Sequence, residues 1–226
     1  MKYGFARDVL LVAALVLGGC GGGEKAQEQV NKGKALIAEG KHEAAIAELL
    51  KATEEDKNSA EAWLNLGHAY YALKKHDEAL AAYVAVKRID RHSIAPHLAH
   101  AKVQLELGNV PKATTELNLV VEMDPKNLEA LILLGKVSKM PYKQPDGSLG
   151  VSKLGLERAE LNLQAAVTLA PQNVEANFEL AKLYGLLGKR QEALEAWRRL
   201  QALAATDAAA KKLQPEIEQA LKALGA

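Results

Sequence analysis

The sequence predicts an all-α protein made of five stacked antiparallel helix pairs followed by a C-terminal capping helix. Its composition favours helices: hydrophobic residues make up 49% of the 226 residues, aromatic residues only 4%, and Ala, Leu, Glu and Lys are abundant. Small and bulky apolar residues also recur with the period of one helix–turn–helix unit of stacked repeat proteins, about 34 residues. A single pair cannot bury its own apolar faces, so the repeats are expected to pack on one another.

Residues 60–93 contain the clearest repeat. Gly67 and Ala79 are small where two antiparallel helices are expected to cross, and Trp63 and Tyr83 are large enough to fill the space around them. These offsets resemble one unit of the tetratricopeptide repeat (TPR). The resemblance implies a right-handed superhelical TPR solenoid in which the first helix of each pair lines a concave groove.

The same spacing continues on both sides of this repeat. It predicts four further units, at 26–59, 94–127, 128–173 and 174–207. Gly40, Gly108 and Gly188 occupy equivalent positions, where a left-handed residue is expected to end the first helix. Residues 208–226 keep an apolar stripe but lose the small residues, which predicts a capping helix that Pro215 kinks or divides.

The fourth unit carries an insertion near 141–155. Its small residues Gly135 and Ala159 are twice as far apart in sequence as the corresponding pair of the clearest repeat. Residues 145–147 (Pro-Asp-Gly) predict a turn, and Gly155 opposes a long helix. We expect a docking loop that projects from one edge; the alternative is a tolerated loop extension. Its candidate docking residues are Tyr142, Leu149 and Val151.

Residues 1–19 are predicted to be a secretory signal peptide. A basic start precedes the apolar run Val9–Leu17, which as a helix would be roughly 14 Å long, too short for a bilayer core of about 30 Å. Leu17-Gly18-Gly19-Cys20 resembles the lipobox of bacterial lipoproteins. The resemblance implies that Cys20 is the lipidated N-terminus and that residues 20–25 form a tether. The alternative is an ordinary signal peptide with a stray cysteine.

Gly21 indicates the membrane to which such a lipoprotein would be sorted. In enterobacterial-type sorting, an Asp at this place retains a lipoprotein in the inner membrane. The resemblance therefore implies a lipid anchor in the outer membrane, with the protein on its periplasmic face.

Composition and motifs argue against several kinds of chemistry. The formal net charge is +1, which does not favour nucleic-acid binding. The sequence contains no G-x-S-x-G, H-E-x-x-H or P-loop motif, so no enzymatic activity, cofactor or small-molecule substrate is predicted. His92, His97 and His100 are close in sequence, but His97 and His100 are expected to pack between helices, and no metal site is predicted.

Two rows of equivalent residues are predicted to line the concave groove. The ninth positions of the five units are Lys34, His68, Lys102, Lys136 and Lys182. The fifth positions are Val30, Leu64, Leu98, Ile132 and Phe178. With Tyr71, they predict an apolar strip beside a basic row, suited to a partner segment with apolar anchors and acidic residues. The alternative is that the lysines are simply solvated and the fifth-position residues partly pack between repeats.

The predicted function is that of a protein-binding scaffold in the cell envelope. Size, lipobox and repeats resemble the pilotin class of type IV pilus lipoproteins, which implies a role in assembling or stabilising the pilus secretin. Two alternatives are an adaptor for peptidoglycan-processing enzymes and a structural subunit of a gliding or respiratory assembly. Recognition of a chaperone C-terminus is not expected, because Val30 and Ala99 stand where chaperone-binding TPR domains carry charged clamp residues.

Overall fold

The computed structural model describes residues 23–143 and 149–225, and within them the chain is helical apart from one short hairpin. The all-α fold class is therefore confirmed. The predicted signal peptide and Cys20 lie outside the described residues. The chain forms two compact units, and the boundary between Asn109 and Val110 assigns the two helices of the predicted third repeat to different units.

The described part of unit 1, residues 23–109, contains five helices that follow one another as packed neighbours. They are α1 (23–38), α2 (His42–Glu55), α3 (Ala60–Ala72), α4 (His76–Ile89) and α5 (Ala95–Glu106). The largest side chains of its core are fully buried, among them Leu49, Leu66, Tyr83 and Val103.

Unit 2 contains seven helices and the hairpin in its described residues. The elements are α6 (Val110–Met123), α7 (Leu128–Ser138), β1 (Tyr142–Lys143), β2 (Leu149–Gly150), α8 (Lys153–Leu169), α9 (Val174–Leu186), α10 (Arg190–Leu203), α11 (Ala208–Lys212) and α12 (Gln214–Ala223). One apolar core is shared by α7, α8, α9, α10 and α12, and its buried residues include Leu163, Leu180, Leu200 and Ile217.

The C-terminal cap is two helices, which resolves the choice that Pro215 left open. Pro215 lies in the first turn of α12, where its missing N–H breaks no hydrogen bond. Ile217 and Leu221 are buried on the core of unit 2, so α12 shields the last helix pair from water.

Close packing inside each pair depends on a glycine opposite a bulky residue. A Cβ on Gly33 would lie 2.5 Å from Cγ of Leu49, and one on Gly67 would lie 2.8 Å from Cδ1 of Tyr83. The sequence suggested Ala79 as the neighbour of Gly67, whereas the nearest atoms belong to the Tyr83 ring. The offset from glycine to bulky residue is the same in both pairs, so it is a second regularity of the repeat.

Left-handed residues end the first helices of the first, second, third and fifth pairs, and at the three glycines this was predicted. The φ angles are 75° at Gly40, 74° at Gly108 and 68° at Gly188. Lys74 occupies the equivalent turn of the second repeat with φ of 58°, although its Cβ makes this conformation unfavourable. Its N–H donates to the Tyr71 carbonyl at 2.9 Å, so the turn keeps the geometry of the glycine-ended helices.

Replacing Lys74 by glycine is therefore expected to stabilise unit 1. Because Lys74 also pairs with Glu106 at 2.9 Å, the informative comparison is between Lys74→Gly and Lys74→Ala, which both lose that pair. Lys74→Gly should exceed Lys74→Ala by about 1 kcal/mol in free energy of unfolding, since only alanine retains the Cβ. Urea unfolding followed by circular dichroism measures the difference; equal values would show that the turn relaxes without cost.

The insertion begins as a hairpin and ends inside a helix. Tyr142 pairs with Gly150 in an antiparallel ladder that the sequence did not predict. The predicted turn at 145–147 lies outside the described residues, and Val151 is 40% exposed.

The prediction that Gly155 opposes a helix was wrong, because α8 begins at Lys153 and includes it. A Cβ on Gly155 would overlap the carbonyl oxygen of Ser138 at the end of α7. The glycine therefore permits close approach of the two helices and does not interrupt α8. The Ser152 hydroxyl caps the helix by accepting from the Gly155 N–H at 3.3 Å.

Candidate functional site

The predicted groove residues lie on the first helix of each pair, but their exposure differs. Val30 is fully buried and packs with Ala52 and Ala62, and Ile132 is only 5% exposed. Both belong to the core; Val30 presents no surface to a partner, and Ile132 presents little. Leu64, Leu98 and Phe178 are half-buried. The predicted apolar strip is therefore interrupted wherever a fifth-position residue packs inward.

Four predicted groove residues come together in unit 1. His68, Tyr71, Leu98 and Lys102 line a cleft of about 210 Å³, called here the unit 1 cleft, with Tyr83 at its side. The repeat period places these positions on neighbouring first helices. Sequence reasoning missed Tyr83, which is fully buried but still reaches this cleft with its ring.

The unit 1 cleft is suited to hydrogen bonding. Nδ1 of His68 lies 3.1 Å from the Tyr83 hydroxyl, and the two rings meet edge to face with centroids 5.6 Å apart. Partial removal of the ring from water and the nearby Lys102 ammonium lower the pKa of His68. Burial raises the pKa of Tyr83. At neutral pH the cleft therefore carries a neutral imidazole and a protonated phenol.

Tyr71 connects this cleft to a charged network. Its hydroxyl donates to Glu106, which also accepts from Lys74 Nζ at 2.9 Å. Burial, and next the bond to Glu106, raise the pKa of Tyr71 to about 12. The hydrogen bond from Tyr71, and next that from Lys74, lower the pKa of Glu106. The network holds α3 against the C-terminal end of α5.

Removal of the Tyr71 hydroxyl is expected to raise the pKa of Glu106. A carboxyl whose folded-state pKa is lowered contributes stability above its ordinary pKa and loses that contribution as the pH falls through the lowered value. Tyr71→Phe should therefore move the loss to higher pH. Carbon-13 NMR titration of the Glu106 carboxyl measures the shift, with Tyr70→Phe as the control. An unchanged pKa would show that the neighbouring Lys74 and His76 set it without the Tyr71 hydroxyl.

The predicted basic row is partly neutralised by carboxylates of the following repeat. Lys34 pairs with Glu61 at 2.7 Å, and Lys136 pairs with Glu175 at 2.8 Å. The second pair is more widely separated in sequence than the first only because it spans the insertion. A lysine at position nine thus meets a glutamate at position two of the next pair. Sequence reasoning missed this partner, although its spacing recurs.

Lys182 differs from Lys34 and Lys136. Its Nζ lies 4.9 Å from the centroid of the Phe178 ring and 3.9 Å from the nearest carboxylate oxygen, on Glu216. Phe178 in turn packs edge-on against Trp197, with centroids 5.8 Å apart. The Lys182 side chain is 47% exposed and remains accessible to a ligand.

A larger cleft in unit 2, called here the unit 2 cleft, has a volume of about 550 Å³. Its apolar lining includes Met140, Pro141, Leu186 and Trp197, and its charged lining is Lys136, Lys139, Lys182 and Glu179. Leu186 is 64% exposed and Met140 42% exposed, whereas Trp197 is 5% exposed. Of the predicted groove residues, Lys136 and Lys182 contribute to it. The others escaped sequence reasoning because the residues before the hairpin, the end of α9 and Trp197 of α10 meet only in the fold.

The histidine that lies nearest a lysine ammonium is His100. Nδ1 of His100 lies 2.7 Å from Nζ of Lys87, so the lysine ammonium occupies the place that a metal ion bound to this nitrogen would need. Within 23–143 and 149–225, no group of three or more His, Cys, Asp and Glu side chains is arranged to hold a metal. None of the helices in these ranges is both long and apolar enough to cross a membrane.

Family models match the first two predicted repeats. The model described as "TPR repeat" matches residues 33–74, and the one described as "Tetratricopeptide repeat" matches 60–93. No curated protein matches the chain in sequence.

Solved structures of TPR proteins resemble the chain in fold. A tetratricopeptide repeat protein from Parabacteroides merdae has 19% identity and a TM-score of 0.70, covering 88% of this chain and 75% of its own. YrrB, described as a TPR protein with an unusual peptide-binding site, has 22% identity and a TM-score of 0.63, covering 90% and 93%.

A third structure contains a bound peptide. The first TPR of Spaghetti (RPAP3), bound to the HSP90 peptide SRMEEVD, has 25% identity and a TM-score of 0.50, covering 51% of this chain and 92% of its own. With the matched repeats and the packed helix pairs, these likenesses show that the chain contains tetratricopeptide repeats and has the fold of TPR proteins.

Proposed function

We propose that the protein is a non-enzymatic scaffold that binds a protein partner through the faces of its first helices. The unit 2 cleft carries this proposal. It combines exposed apolar side chains, Met140 and Leu186, with a tryptophan floor and a charged rim. Exposed apolar patches rimmed by polar residues are typical of interaction sites. TPR folds generally serve as interaction scaffolds, and YrrB and Spaghetti are described with a peptide site and a bound peptide.

We further propose that the partner is an envelope protein and that Cys20 anchors the scaffold to the outer membrane, facing the periplasm. The support is the lipobox-like Leu17–Cys20 followed by Gly21. Two acyl chains give stable anchoring where one gives marginal binding. The first candidate partner is the type IV pilus secretin. Adaptor work for peptidoglycan-processing enzymes and a structural role in a gliding or respiratory assembly are the alternatives.

Cys20→Ala is expected to leave an unlipidated precursor. Labelled palmitate should enter the wild-type protein and not the variant, because the chain contains no other cysteine. Equal labelling of both proteins would contradict the proposed anchor.

Photo-crosslinking from defined positions tests the binding face. A photoreactive amino acid at Leu186, on the unit 2 cleft, is compared with one at Leu161 on α8, which does not line that cleft. The two residues are matched, with exposed fractions of 64% and 68%. We expect an envelope protein to be captured in the host cells from Leu186 and not from Leu161. Mass spectrometry of the product distinguishes the secretin, cell-wall enzymes and other assemblies. Capture from Leu161 alone would contradict the assignment of the face.

A further inference from the structure

The unit 2 cleft is opened by a glycine that the fold itself does not need. Gly185 lies within α9, where glycine destabilises a helix relative to alanine. A Cβ at Gly185 would meet no atom within 4 Å, in contrast to Gly135, whose Cβ would overlap Leu163. The four equivalent residues are larger: Ile37, Tyr71, Leu105 and Lys139. The open space beside Gly185 therefore belongs to the cleft.

The start of the insertion also lines this cleft. Met140 and Pro141 immediately precede β1 and line the cleft together with Leu186 and Trp197. The base of the insertion and the first-helix face are therefore parts of one site. A space lined by an exposed methionine, an exposed leucine and a nearly buried indole suits one bulky apolar side chain.

The charged lining determines which peptide fits. The lining contains three lysines, Lys136, Lys139 and Lys182, and one carboxylate, that of Glu179. Lys139 pairs with Glu179. Lys136 donates a hydrogen bond to Glu175, and this bond raises the pKa of Lys136. Lys182 is 3.9 Å from Glu216, too far for a hydrogen bond. Each of the three lysines thus has a carboxylate nearby, but Lys182 makes no hydrogen bond to its carboxylate and can donate to an incoming one.

We propose that the unit 2 cleft binds an acidic linear peptide segment by one bulky apolar side chain. The side chain lies over Trp197 beside Gly185, and a neighbouring carboxylate pairs with Lys182. This inference rests on the proposed function, since it names the chemical class of the partner segment at the same face. Apolar burial supplies the affinity, and the ion pair selects acidic segments over basic ones.

Methionine methyl NMR provides a direct test. The full chain with Cys20→Ser is labelled at its methionine methyl groups and titrated with the blocked octapeptide GEDLFEDG. The basic peptide GKKLFKKG and the apolar-deleted peptide GEDGGEDG serve as comparisons. Met140 lines the cleft, and Met123, which is 38% exposed on α6, is an internal control against non-specific binding. We expect only the Met140 signal to shift, and only with the first peptide. An unmoved Met140 signal, or an equal shift with the basic peptide, overturns the proposal.

Gly185→Leu separates the cleft from the rest of the protein. It fills the open space with a good helix former, so the fold should keep its thermal stability while peptide binding weakens by about tenfold or more. Ala202→Leu, exposed on α10, is the matched control and should bind as the wild type does. Wild-type binding by Gly185→Leu overturns the inference. If crosslinking from Leu186 still captures a partner, the proposed function stands and only the peptide class fails.

Discussion

Gly135→Ala should destabilise unit 2, whereas the same substitution at Gly185 should stabilise it. A Cβ on Gly135 would lie 2.6 Å from Cδ2 of Leu163, a side chain with no exposed surface. Overpacking of this kind costs about 1–3 kcal/mol, which exceeds the gain of up to about 1 kcal/mol from higher helix propensity. At Gly185 the added methyl group meets open space, so only the gain remains.

Urea unfolding and hydrogen exchange of unit 2 measure this difference. The two variants are each other's controls, since they make the same chemical change in the first helix of a pair. We expect opposite signs in the change of unfolding free energy. Two stabilised variants would show that α7 and α8 separate easily, and that Gly135 is not required by packing.

Ile217→Ala should cost unit 2 about 2–5 kcal/mol of unfolding free energy, the range found for truncation of a buried isoleucine. Ile217 is fully buried in the core shared by α8, α9 and α10. Its loss removes apolar contact and exposes the end of the last pair to water. The effect should spread to α9 and α10, because neighbouring repeats share their stability.

Hydrogen exchange at the amides of α9 and α10 is the suitable measurement, since it locates the loss. Gln219→Ala, on the exposed side of α12, is the control and should change stability by less than about 0.5 kcal/mol. If protection falls only in α12, that helix is an appendage and does not cap the pair beneath it.

The ion pairs change how the lysines of the first helices are interpreted. Lys34 and Lys136 each contact a carboxylate of the following pair, with side chains 50% and 37% exposed. Exposed pairs contribute only about 0–1 kcal/mol each, so their main effect is to reduce the positive charge presented to a partner. Lys182 retains more of that charge, because its nearest carboxylate oxygen is 3.9 Å away.

The sequence by itself determined the repeat architecture and its turns. Glycine at 40, 108 and 188 predicted left-handed helix ends, and all three have positive φ, because a residue without a Cβ adopts this conformation at little cost. The period of small and bulky residues predicted the helix pairs for a similarly local reason. A helix crossing requires small residues at fixed offsets, whatever its surroundings are.

Only the tertiary structure decided which first-helix residues are accessible. Val30 and Leu98 occupy equivalent positions, yet Val30 is fully buried while Leu98 lines the unit 1 cleft. Gly155 was wrongly predicted to oppose a helix. Its role depends on the Ser138 carbonyl oxygen, which belongs to the preceding helix on the far side of the insertion. The unit 2 cleft joins the start of the insertion to the end of α9, and Gly185 opens it. Burial and cleft shape depend on atoms from separate elements, and a repeat period carries no information about their distances.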